Sequence, residues 1–215
     1  MDLVERLANT YSGVVHDVMR TMGLRNFTLP PEIRPLFPDR VLAGVVATTV
    51  SGKVDPTADP HETLLAWTGL LSKARADTVL ICQPNDSAVA HMGELSAETL
   101  KRKGVRGYVV DGGCRDVDFI LRLGFPVWCR YFTPRDIVGY WLPDSFDQPI
   151  RIGEATVQPG DLALGDRDGM VILPRERAED IVVAAEAAIG AENLVRKAIL
   201  EGVDPQQAYL RYGKF

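Results

Sequence analysis

Between residues 78 and 130 the chain passes through five segments that are in turn apolar and amphipathic: "TVLICQ", "GELSAETLKRKG", "VRGYVVDG", "RDVDFILRLG" and "FPVWCR". The apolar segments carry no polar face, which suits strands covered on both sides. Helices between strands of that kind act as crossovers and make the strands parallel. Each amphipathic segment ends in a cation closely followed by Gly104 or Gly124, the residue types a helix C-terminus prefers. The alternation predicts an α/β fold with a partly parallel central sheet.

The flanking sequence extends this frame. Helices are predicted near 2–9 and 12–22, with Ser12 as cap of the second and Gly23 as its stop. A proline-rich loop, "LPPEIRPLFPDR", leads into the strand "VLAGVVATTVSG". The segment "DPHETLLAWTGLLSKARAD" places Asp59 and Pro60 as cap and first residue of a further helix. After residue 150 the texture changes to short strands with tight turns, followed by a long helix over about 175–201. The tail "GVDPQQAYLRYGKF" reads as frayed or as docked on a neighbour. One domain over 1–215 is expected: N-terminal helices in 1–40, an α/β core in 41–175, and a C-terminal helix and tail in 176–215.

Charge and cysteine usage narrow the function classes. With 24 basic against 29 acidic residues and no cationic run longer than "KRK" at 101–103, the chain has no footprint for nucleic acid. Eighteen consecutive apolar residues occur nowhere, and "MDLVERLANTYSG" lacks the apolar stretch of a signal peptide, so a cytoplasmic protein without membrane contact is expected. Cys82, Cys114 and Cys129 have no CxxC spacing, which argues against a disulfide framework or a structural zinc.

In open parallel sheets ligands bind beyond the carboxyl ends of the strands. Two loops reach that edge here, one carrying Gly93, Glu94, Leu95 and Ser96, the other Gly112, Gly113, Cys114, Arg115 and Asp116. Strands of a parallel pair lie about 5 Å apart, so the loops can face one cavity. Asp116 alone also reads as a helix N-cap, and an acid in a first turn gains about 1 kcal/mol or less from the helix dipole. Arg115 at a helix start opposes that dipole, and an anionic ligand would account for it. Gly112 and Gly113 would allow such a ligand close to the backbone. "DGGCRD" is not GxGxxG, and no GxxxxGK[ST] is present, which excludes phosphate-loop chemistry.

The remaining candidates carry plain alternatives. His91 reads as a proton shuttle or a packing residue, His16 as structural, and His61 as exposed. Lys53 reads as a Schiff-base lysine or a solvated one. "GDRDG" at 165–169 reads as a turn rather than a calcium loop, and "YWLPDSFDQP" at 140–149 as a substrate loop or an ordinary connection.

Glu94 and the Arg115–Asp116 pair form the pattern E-x20-R-D, set between "GEL" and "LGFPVW", with "PGD" and "DRDGMVILP" further on. Over roughly residues 40–175 this resembles the RraA-like family, which holds divalent-metal-dependent 4-hydroxy-4-methyl-2-oxoglutarate / 4-carboxy-4-hydroxy-2-oxoadipate aldolases and regulators of ribonuclease activity. The resemblance implies a swivelling-domain-like α/β/β sandwich with a mixed sheet and a C-terminal helix. It also implies a homotrimer or hexamer with sites near subunit interfaces.

By the same resemblance Asp116 would hold Mg2+ or Mn2+, and Arg115 would pair with the carboxylate or enolate of a small 2-oxoacid substrate. Gly93 and the backbone N–H groups of Leu95 and Ser96 would bind substrate, and Glu94 would position a metal-activated water. A neighbouring subunit's Glu192 would touch the metal's water shell, while His91, from its position alone, could stand behind these groups. The family signature is usually D-x20-R-D, so Glu94 departs from it and reaches about one methylene further. Regulator members often lack the Asp after the Arg, so Asp116 favours the enzyme. The implied activity is retro-aldol cleavage to pyruvate plus a carbonyl product, with oxaloacetate decarboxylation beside it. The alternatives are a non-catalytic regulator of a ribonuclease or helicase, and a decarboxylase or sugar-acid aldolase using the same site.

Overall fold

The computed structural model describes residues 1–213. Two helices open the chain, α1 (Leu3–Ala8) and α2 (Ser12–Thr21). A capping box starts α1: the Glu5 N–H donates to Asp2 Oδ1 and the Asp2 N–H donates back to Glu5 Oε2. The start of α2 departs from expectation. Ser12 is its first helical residue, not its cap, and its N–H and hydroxyl both donate to Asp166 at 2.7 Å from across the fold. A carboxylate aimed at a helix start answers both an unpaired N–H and the dipole, and a serine cap answers less of either.

Next come β1 (Arg34–Pro35), β2 (Leu42–Val54), α3 (Pro60–Lys73) and β3 (Thr78–Gln83). Asp59 caps α3 as predicted, accepting the N–H groups of His61 and Glu62. The alternating region then supplies α4 (Glu94–Arg102), β4 (Gly107–Val110), β5 (Gly113–Cys114), α5 (Val117–Leu123), β6 (Val127–Cys129) and β7 (Tyr131–Phe132). Beyond it lie β8 (Trp141–Phe146), β9 (Ile150–Ile152), β10 (Ala155–Val157), β11 (Leu162–Gly165) and β12 (Met170–Leu173). The segment 140–149 is therefore mostly strand β8, not a loop. The chain closes with α6 (Ala178–Leu200) and α7 (Pro205–Tyr212). Most of the tail is not frayed but helical, capped by Asp204 and packed along α6 with Ala208 buried; residues 214 and 215 of the tail lie outside the described residues.

The main sheet runs β1-β6-β4-β3-β2-β11-β12, and its four central strands β6, β4, β3 and β2 are parallel. Along its other edge β2 pairs antiparallel with β11 through Leu42–Val45 and with β8 through Val50–Val54. A register shift against β3 between Val46 and Thr48 swaps the faces of β2, because one extra residue inverts a period of two. Val46 accordingly packs with Val79 and Ile81 under the β9–β10 hairpin. Val50 packs on the opposite face with Leu80 and Cys82 beneath α3, α4 and α5. Helices, sheet and hairpin make the expected α/β/β sandwich, and α1, α2 and α6 cover the β11–β12 end.

Candidate active site

Three loops are laced together at the carboxyl edge of the parallel strands. The segment before α4 runs beside β5: Ala90 bridges Gly113, the His91 N–H donates to Gly113 O, and the Arg115 N–H donates to Met92 O, the last two at 2.9 Å. The loop after β7 joins through Ala90 N–H to Arg135 O (2.8 Å) and Thr133 N–H to Cys114 O (3.1 Å). These bonds bring Gly93–Ser96, Arg115–Asp116 and Asp136 to the wall of one cavity of about 430 Å³.

Asp116 stands at the N-cap position of α5 but does not cap it. Its backbone is left-handed (φ 55°, ψ 35°), and its side chain makes no bond to its own helix. Oδ2 instead accepts the Glu94 N–H at 3.1 Å, so the carboxylate caps the neighbouring helix α4 and lies 3.3 Å from Arg115 Nε. Arg115 reaches the other way to Asp136 Oδ2 through Nη1 at 3.2 Å. The guanidinium is thus held between two carboxylates, which offsets its unfavourable place at a helix start.

Gly93 makes this arrangement possible. Its backbone is extended and open to any residue, but a Cβ there would lie 2.8 Å from Asp116 Oδ2 and 3.3 Å from Arg115 Nε. The twin glycines serve another purpose than the expected ligand approach. A Cβ at Gly112 would meet His91 Nδ1 at 2.6 Å, and one at Gly113 would meet Tyr131 Cε2 at 2.5 Å. They make room for packed rings.

Around this centre, the Leu95 and Ser96 N–H groups precede the first helical bond of α4, which Ala97 makes to Gly93 O. Ser96 Oγ accepts the indole N–H of Trp67 at 2.9 Å. His91 packs edge-on against Trp141, its ring fully buried, with no hydrogen-bond partner for either nitrogen among the described residues. Asp86 Oδ2 comes within 3.4 Å of Nε2, but that oxygen already accepts the N–H groups of Ala88 and Val89. Burial lowers the His91 pKa to about 4 against the weaker opposing pull of Asp86, so the ring is neutral at pH 7.

Other candidates lie elsewhere. Lys53 and His61 are exposed outside the cavity, and His16 packs on Phe27. Residues 165–169 form the β11–β12 turn, where the Asp166 N–H donates to Gly169 O. Glu192 sits on α6 and accepts the hydroxyl of Tyr11, away from this cavity. Asp136 and Trp67 were missed from the sequence. The short signal "PRD" at 134–136 has no distinguishing spacing, and Trp67 reads as an ordinary core position of an amphipathic helix.

A family model described as RraA-like, Aldolase/RraA, matches residues 12–172. The chain belongs to the RraA-like family. A Halalkalibacterium halodurans protein named "Putative 4-hydroxy-4-methyl-2-oxoglutarate aldolase" is 27% identical over 87% of this chain and 85% of its own. Streptomyces coelicolor RraAS2, described as an unusual member of the RNase ES inhibitor RraA protein family, is 28% identical. It superposes with a TM-score of 0.80 over 90% of this chain and 95% of its own. A chain solved among novel cellulases from microbes associated with the gut ecosystem is 31% identical, with a TM-score of 0.83 over 89% and 85%. The fold is that of the RraA-family structures. Among the described residues, no helix is long and apolar enough to cross a membrane.

Proposed function

We propose that this RraA-like chain is a divalent-metal-dependent carbon–carbon lyase that cleaves a 4-hydroxy-2-oxoacid to pyruvate and a carbonyl product. The observation that carries this reading is the charge pattern of the cavity. Glu94, Asp116 and Asp136 face it with one guanidinium, Arg115, leaving two net formal negative charges where an anionic substrate must bind. A dication cancels that excess. The cavity offers oxygen donors and no accessible thiol or imidazole, which favours a hard ion such as Mg2+ or Mn2+. Among the described residues no three acidic, His or Cys side chains converge to enclose an ion. The Asp116 carboxylate would hold such an ion, since magnesium takes few protein ligands.

When bound, the dication supplies Lewis-acid stabilisation of an enolate oxygen. The chain's own groups do the rest. Arg115, with Nε on Asp116 and Nη1 on Asp136, keeps further donors of its fork for the pyruvyl carboxylate or the developing enolate. The Leu95 and Ser96 N–H groups receive the substrate carboxylate at the start of α4. Glu94 orients the water that takes the C4 hydroxyl proton. The C3–C4 bond then breaks, its electrons pass into the pyruvate enolate, and a proton later returns to C3. The same enolate arises from oxaloacetate by loss of carbon dioxide.

The likeness to the H. halodurans protein supports this reading. Exposed Leu64, Leu65 and Leu95 beside the cavity support assembly as a trimer or hexamer with the site near a subunit boundary, where a neighbour's Glu192 would approach. A second reading, a non-catalytic regulator binding a ribonuclease, rests on the likeness to RraAS2. Pyruvate release from oxaloacetate and 4-hydroxy-4-methyl-2-oxoglutarate, with Mg2+ or with EDTA, separates the two. Metal-dependent release that falls at least a hundredfold in Asp116→Asn is expected. No release from a folded protein with metal present would leave the regulator.

A further inference from the structure

The edge of the sandwich opposite the cavity collects cations. Helices α3, α4 and α5 run back along the parallel strands, so their C-termini gather at the amino edge of the sheet, beside the starts of β3, β4 and β6. Lys73 and Arg75 stand at the end of α3, Lys101, Arg102 and Lys103 at the end of α4, and Arg122 in the last turn of α5. Two of them tie the three ends together: Lys101 Nζ donates to Leu123 O on α5, and Lys103 Nζ donates to Ser72 O on α3 at 3.0 Å. The nearby acids are engaged, Asp147 with Arg75 at 3.1 Å and Asp77 with Arg106 at 4.0 Å. Lys73, Lys101, Arg102, Lys103 and Arg122 have no carboxylate within ion-pair distance among the described residues. This positive face belongs to a chain whose formal net charge is -5.

We propose that this amino-edge face docks an acidic segment of a partner polypeptide. One cation in a last turn complements a helix dipole, but α4 ends in three, and the exposed Arg102 makes no side-chain hydrogen bond among the described residues. The ammonium groups of Lys101 and Lys103 are held by their carbonyls and keep further donors for carboxylates. Helix ends also present carbonyls between the cations. A polypeptide meets both, with carboxylates for the cations and backbone N–H groups for the carbonyls, whereas a phosphodiester strand has no N–H along its backbone. The aromatic rings here are covered as well: Arg122 lies 4.4 Å over Phe119, and Lys73 Nζ 5.1 Å over Phe146, so neither offers an open platform for a base. The opposite edge carries Glu94, Asp116 and Asp136 and repels the same segment, which fixes where it lands. The face also stays clear of the subunit boundary proposed at Leu64, Leu65 and Leu95, since Lys73 lies roughly 14 Å beyond Leu64 along α3.

The test is fluorescence anisotropy of a labelled oligoglutamate of about ten residues titrated with the full chain, beside oligoglutamine and oligouridylate of the same length, at about 50 mM and about 300 mM NaCl. Oligoglutamate is expected to bind, about tenfold more weakly at the higher salt, and about tenfold more tightly than oligouridylate at either. Oligoglutamine should not bind. The double variant Arg102→Glu with Arg122→Glu should lower the affinity for oligoglutamate about tenfold or more while circular dichroism and thermal denaturation stay those of wild type. Arg102→Glu alone, at a side chain that holds nothing in the fold, keeps the test open should the double variant not fold, with a loss of about threefold. No binding of oligoglutamate, binding indifferent to salt, or wild-type affinity in the folded variants would overturn the proposal. Equal or tighter binding of oligouridylate would overturn it in favour of RNA.

Discussion

Replacing Gly93 with alanine separates the catalytic arrangement from the stability of the fold. The new Cβ would lie 2.8 Å from Asp116 Oδ2, where ordinary contact begins at 3.4 Å, so the carboxylate must retreat by roughly 0.6 Å. Arg115 Cγ and Nε, each at 3.3 Å, must give by a smaller amount. A misplacement of about 1 Å in a catalytic group can cost on the order of a hundredfold in rate. We therefore expect kcat/KM for oxaloacetate to fall about tenfold to thirtyfold. Stability should hardly change. The backbone at Gly93 is extended (φ -147°), which alanine adopts freely, and the poorer cap is offset by about 0.4–1 kcal/mol of lost unfolded-state freedom. Chemical denaturation and steady-state decarboxylation on the same sample read both quantities. Full activity in the variant would refute the claim that the Asp116 position governs the reaction, and a large loss of stability would show that the side chain cannot retreat.

Two further outcomes follow from the same geometry. Asp136→Asn keeps the size of the side chain but removes the charge holding Arg115 Nη1, and kcat/KM for oxaloacetate should drop about tenfold, with partial rescue by Asp136→Glu; wild-type kinetics in Asp136→Asn would show that Arg115 does not need this support. His91 titrates near 4 when folded and near 6.5 when free, so the unfolded chain binds the extra proton across that window. Stability should be flat above pH 6.5 and fall by roughly 3 kcal/mol as pH drops towards 4. Denaturation curves at pH 7 and pH 4.5 that decline equally in wild type and His91→Gln would contradict this.

The layered architecture was legible because its signals are local. Apolar runs, helix-stopping glycines and the Asp59–Pro60 cap each depend on neighbours in sequence. So does the R-D pair after a strand, which located the cavity. What escaped depends on contacts between distant segments. Asp166 caps α2 from 154 positions away, and no pattern near Ser12 announces it. Asp136 reaches Arg115 from a loop after β7 that backbone bonds pin to two distant segments, with Arg135 O accepting the Ala90 N–H and the Thr133 N–H donating to Cys114 O. The meaning of the glycines was inverted for the same reason. Gly112 and Gly113 yield to the rings of His91 and Tyr131, while Gly93 is the one that yields to the carboxylate.

The left-handed backbone at Asp116 restricts what can succeed it in descent. Asparagine and glycine adopt that conformation at little cost, and most other side chains resist it. Both are reachable from an aspartate codon by a point mutation, and both remove the charge without asking the loop to move. A lineage with this scaffold can therefore lose the chemistry proposed above while its shape and surface persist, leaving them to selection for binding alone.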